Sequence, residues 1–162
     1  MGLTQGAVFR HFPTREAILL AVVDWVEERL SEVIAAANTA SRDPVDSLQR
    51  TFEAHIDFIA QHPSAPRLIF NELQKPADNP VKQRVRGLLD RYRQRVSGLL
   101  ARAKNLGLVD AQLDETAAAI LFVGAVQGLV VQTLLAGDPQ TLHATARRVL
   151  PLYLRGIGVR EL

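Results

Sequence analysis

The sequence predicts an all-α protein, a bundle of helices without a sheet. Three observations carry that expectation. Apolar residues recur every three to four positions along most of the chain, the period of an amphipathic helix, and nothing reads as a strand. Prolines, glycines and hydroxyl or Asp caps cut the chain into blocks of helical length. Of the 162 residues, 48% are hydrophobic, enough to bury a substantial core in what is most simply one folded body.

The elements follow in order. Thr4 offers a hydroxyl N-cap to a very short helix ending near His11, and Phe12-Pro13 stops it. Thr14 caps a much longer helix, to about Asn38, with Ile18, Val22, Val26, Leu30 and Val33 on one stripe. A polar break ends at Asp43, a cap followed by Pro44 at the first helical position. The next helix runs to about Gln61 with Val45, Leu48, Phe52, Ile56 and Ile59 inward, and His62-Pro63 closes it. A short helix near Arg67 to Leu73 and a loop from Lys75 to Pro80 come next. From Val81 to about Asn105, the residues Val81, Val85, Leu88, Tyr92, Val96 and Leu99 face inward, and Gly107 is a left-handed C-cap. Asp114 caps an uncharged helix, Gly137-Asp-Pro139 turns the chain, and a last helix runs from about Gln140 to Arg155. Pro151 should bend that helix or remove one backbone bond.

The opening block, Met1-Gly-Leu-Thr-Gln-Gly-Ala-Val-Phe-Arg-His-Phe-Pro-Thr-Arg-Glu16, has small, aromatic, His, Phe, Pro and basic types in fixed register. It resembles the end of the helix-turn-helix of the tetracycline-repressor (TetR) family: a recognition helix, its Phe-Pro junction and the start of the connecting helix. The resemblance implies that Thr4, Gln5, Phe9, Arg10, His11 and Arg15 face DNA. Gln5 and Arg10 suit adenine and guanine edges, and Thr4, His11 and Arg15 suit phosphate. Phe9 stands where the family usually has Tyr, so a phosphate-bonding hydroxyl is missing. In that family roughly thirty residues, forming two helices, precede this block. The expectation is therefore an N-terminally truncated regulator whose recognition helix lacks its packing partners and binds operator DNA poorly as it stands.

Beyond this block the resemblance is topological and implies a ligand-responsive regulator, expected to repress. Residues 1–38 are then the remnant of the DNA-binding domain, and residues 39–162 the ligand-binding and dimerisation domain. The implied partners are operator DNA in the full-length form, a small, largely apolar effector, and a second copy of the chain. For the effector the candidate lining residues are Trp25, Phe52, His55, Phe70, Tyr92, Phe122 and Gln127. For each aromatic among them plain core is the favoured reading, and for His55 a satisfied core or edge histidine. For the dimer, the last two helices of each copy should form a four-helix interface through Ala118, Gly124, Ala125, Gly128, Val131, Leu135, Arg147, Leu150 and Leu154. A helix apolar on every side must be covered from two directions, and one small subunit covers only one.

Other functional classes find less support. The uncharged stretch Thr116 to Gly137 is long enough to span a bilayer and holds the pair Gly124 and Gly128. Its Gln and Thr residues and the absence of a flanking basic cluster favour a soluble interface, so no membrane partner is expected. The basic residues Lys82, Arg84, Arg86, Arg91, Arg93 and Arg95 read as solvated surface rather than a nucleic-acid patch, because Asp90 interrupts them and no aromatic interleaves on the same face. Four scattered histidines make no zinc pair, and no phosphate loop or nucleophile elbow occurs, so no enzyme, metal or cofactor is expected. With no cysteine and no signal peptide, a cytoplasmic location is expected. The remaining alternatives are a ligand-binding helical dimer without a DNA role and a small membrane-inserted dimer.

Overall fold

The computed structural model describes residues 12–138 and 140–159, which form six helices: α1 (Arg15–Asn38), α2 (Pro44–Gln61), α3 (Ser64–Gln74), α4 (Pro80–Asn105), α5 (Glu115–Ala136) and α6 (Thr141–Gly156). The described residues contain no strand. Side-chain caps set most of the starts. Thr14 Oγ1 accepts from the Ala17 amide at 3.0 Å, and Asp43 accepts from Val45 and Asp46 at 2.8 and 2.9 Å. Asp114 serves Thr116 and Ala117 in the same way, both at 3.0 Å. Asn79, read from sequence as loop, caps α4 by accepting from the Lys82 amide at 2.9 Å. Gly107 and Gly137, both at φ +69°, end α4 and α5 in the left-handed conformation that side chains disfavour. Helix α3 starts at Ser64, earlier than the sequence suggested, because Pro66 falls in a first turn where its missing N–H costs nothing. Helix α6 continues through Pro151.

The buried stripes are close to those expected, with two shifts. In α1 the innermost residues are Val23, Val26 and Leu30, while Ile18, Val22 and Val33 flank them half-buried. In α4 four-residue steps carry the stripe from Leu88 through Tyr92 and Val96 to Leu100, leaving Leu99 beside it. The basic face of α4 is not simply solvated. Lys82 is buried and donates to the Lys75 carbonyl, and Arg84, Arg91 and Arg95 reach across to Asp24, Glu27 and Ser31 of α1.

Packing produces two apolar cores rather than one. The larger joins α2, α4, α5 and α6 through Leu48, Phe52, Val96, Phe122 and Leu150. Phe52, Phe122 and Tyr153 form an edge-to-face ladder with centroids 5.5 and 5.4 Å apart, each contact contributing about 1 kcal/mol beyond area burial. Tyr153 also donates its hydroxyl to the Ala118 carbonyl at 3.1 Å, so the ladder ends in a satisfied polar group. The smaller core joins α1, α3 and the first half of α4 through Val23, Val26, Ile69, Val81 and Val85, with Phe58 from α2. Helix α1, which carries the chain from the opening block, thus packs on α2 and α4 and shares their core.

Candidate functional site: a cavity at the seam of two cores

The two cores meet along a seam, and packing there is incomplete. A cavity of about 70 Å³ remains, walled by Val26 and Leu30 of α1, Phe58 and Ile59 of α2, residues of α3 and α4, and Val123, Val126 and Val130 of α5. None of its lining residues is Asp, Glu, Lys or Arg. Its polar groups are His55, Tyr92 and Gln127, the last being the only amide on the wall. His55 Nδ1 and the Tyr92 hydroxyl lie 2.9 Å apart, with the two rings edge to face at 5.0 Å. Burial lowers the His55 pKa to about 4 and raises that of Tyr92, so both groups are neutral at neutral pH and satisfy each other. The cavity therefore offers shape, apolar surface and neutral hydrogen-bonding groups, and no fixed charge.

Of the seven residues suggested for an effector, His55, Phe70, Tyr92 and Gln127 line this cavity together. Trp25, Phe52 and Phe122 do not. Trp25 is 44% exposed on the outer side of α1, with its ring 5.0 Å from His62 and 6.3 Å from Phe58. Phe122 is fully buried in the ladder, and Phe52 is buried beside it. The aliphatic wall residues Val26, Leu30, Ile69, Leu88 and Val126 were not singled out from sequence. They sit on ordinary inward stripes, and a cavity wall differs from packed core only in lacking a partner atom, which no periodicity records.

Thr4, Gln5, Phe9, Arg10 and His11, expected from the resemblance to face DNA, lie outside the described residues; Arg15, expected with them, opens α1 and is exposed. The residues suggested for a dimer interface divide. Ala118, Leu150 and Leu154 are buried within this chain, and Ala125 is half-buried. Gly124, Gly128, Val131, Leu135 and Arg147 are exposed, and with Ala117, Ile120 and Leu121 most of them make an apolar outer face of α5. A Cβ added at Gly124 or Gly128 would meet nothing within 4 Å, so neither glycine is required by packing inside the chain. Helix α5 is also the one described helix long and apolar enough to cross a membrane, judged by length and composition alone.

Comparison with known proteins places this architecture. A curated relative, the nucleoid occlusion factor SlmA of Vibrio cholerae, is 20% identical over 128 residues, covering 79% of this chain. The chain spans 65% of that relative's length. A TetR transcriptional regulator from Chloroflexus aurantiacus has the same fold at a TM-score of 0.78 and 21% identity, over 96% of this chain and 79% of the other. A TetR-family transcriptional regulator from Streptomyces coelicolor matches at 0.74 and 21%, with the same two coverages of 96% and 79%. The model of the tetracyclin repressor-like C-terminal domain family matches residues 41–131, more than half of the sequence, and the chain belongs to that family.

Proposed function

We propose that this chain is the effector-sensing and pairing part of a cytoplasmic, ligand-responsive transcriptional regulator, a repressor, that works by binding rather than by catalysis. The observation that carries the reading is the position of the cavity: α1 forms part of its wall through Val26 and Leu30, and in sequence the same helix directly follows the block expected to face DNA. Ligand sites for small molecules commonly occupy roughly 300–1,000 Å³. The space of about 70 Å³ is small for such a ligand, so in this reading the surrounding helices separate to receive it. Occupation thus displaces α1 against α4, and α1 carries the displacement towards Thr4, Gln5, Arg10, His11 and Arg15. In the full-length form, operator DNA is held by two recognition helices about 34 Å apart, and a change in that separation releases it. The second copy of the chain covers the outer face of α5, including Gly124, Gly128, Val131 and Leu135.

The chain has no cysteine, so spin labels placed at Arg15→Cys report the distance between the two α1 starts in a dimer. Nile red, a neutral apolar probe, is expected to bind and to change that distance. If the probe does not bind, or binds while the label distance stays fixed, the sensing reading is wrong.

A further inference from the structure

We propose that the seam cavity and a neighbouring surface groove form one channel for a single-chain amphiphile, its apolar tail in the cavity and its anionic head on Arg67. This rests on the sensing role proposed above and names the class of ligand. The groove, about 160 Å³, lies where α2 ends, α3 begins and α5 ends. It shares Ile59, Pro66 and Val130 with the cavity, so the two spaces adjoin along these three apolar side chains. The polarity of the ligand follows from the charges. Arg67 is the one charged residue on the groove among the described residues, with the Thr133 hydroxyl on the same groove. Arg84, Arg86, Arg91 and Arg93 are tied to carboxylates, whereas Arg67 has no such partner among the described residues.

An anionic head placed inside the cavity would lose its hydration without meeting a countercharge, since His55 there is neutral at neutral pH. At Arg67 the same head keeps water on one side and gains a planar guanidinium that matches carboxylate or phosphate. Two small adjoining spaces also suit a flexible chain, which can thread from one into the other. The neutral groups His55, Tyr92 and Gln127 at the inner end tolerate a polar oxygen on the chain and give no hold to a second charge.

The test uses the whole chain and calorimetric titration with hexanoate, octanoate, decanoate, decyl phosphate and decanol, each below its aggregation concentration. Affinity of the carboxylates is expected to rise roughly two- to fourfold per methylene until the channel is filled. Arg67 is exposed, so R67Q should fold normally. It is expected to weaken decanoate and decyl phosphate by roughly tenfold or more and to leave decanol unchanged. The preference between decanoate and decyl phosphate then tells which anionic head the site favours. Equal loss for decanol, or no loss for the two anions, overturns the assignment of Arg67. If Nile red binds and moves α1 but none of these amphiphiles binds, the channel is wrong and the sensing role survives.

Discussion

His55 sits at the junction between core and cavity, and its chemistry is set by burial and by one partner, Tyr92 at 2.9 Å. Helical spacing puts it on the same face as Phe52, Ile56 and Ile59. In the structure Phe52, Ile56 and Ile59 join the large core, while His55 and Ile59 line the cavity wall. Periodicity could place the ring on the inward side, but the phenol 37 residues away that satisfies it was beyond any local pattern. The linkage has a definite sign. The folded pKa, about 4, lies below the ordinary value of 6.5, so between these pH values the unfolded chain binds the extra proton. Stability therefore falls as pH drops from 6.5 towards 4 and levels off below, by up to about 3 kcal/mol from this group. In H55Q, chemical denaturation at stepped pH should show a shallower fall across that window. An unchanged slope would mean that the imidazole is not held neutral by its surroundings.

At the scale of elements, the decisive contact is the polar seam between α1 and α4. Glu27 receives Arg91 through two hydrogen bonds, the longer 2.9 Å, and also pairs with Arg84, while Arg95 donates to Ser31 at 2.9 Å. The sequence showed Glu27 on one helix and a basic stripe on the other, and the stripe was read as solvated. Local spacing cannot reveal that the two faces meet, because the partners are 64 residues apart. The helices themselves were legible, since each has its own cap and stripe; their pairing depends on which stripes find each other in three dimensions. Arg91 and Arg84 hold the Glu27 carboxyl near a pKa of about 2, below the ordinary 4.5, so the stabilisation is present above 4.5 and is lost as pH falls towards 2. E27Q should destabilise the protein at neutral pH by about 1 kcal/mol after discounting for solvent screening, a fall in Tm of about 3 °C. Thermal melts at rising salt check the cause: the gap between E27Q and the natural chain should narrow as salt screens the seam.

For the whole molecule, the unanswered surface is the outer side of α5. The helix is apolar on every side, yet one subunit covers only the side bearing Ala119, Phe122, Val126 and Val130. Leu135 is 75% exposed and Leu121 57%, beside two glycines with open space over their Cα atoms. The apolar composition of this helix was readable from the chain, and so was the need for a second cover. Which of the suggested residues face outward was not, because Ala118, Leu150 and Leu154 turn into the chain's own core once α5 and α6 pack together. Large apolar patches on a soluble monomer are rare and mark association surfaces. If a second copy lies there, close backbone approach at Gly128 is what a larger side chain would block. G128L should therefore convert a dimer into a monomer at micromolar concentration, measured by sedimentation equilibrium. Circular dichroism should remain unchanged, because leucine is the better helix former by roughly 1 kcal/mol and meets no atom within its own subunit. G98L on α4 is the matched control: that glycine is also exposed and unobstructed but lies away from the α5 face, so its dimer should persist. A G128L protein that sediments as the same dimer would place the pairing surface elsewhere, and α5 would need another explanation for its bare side.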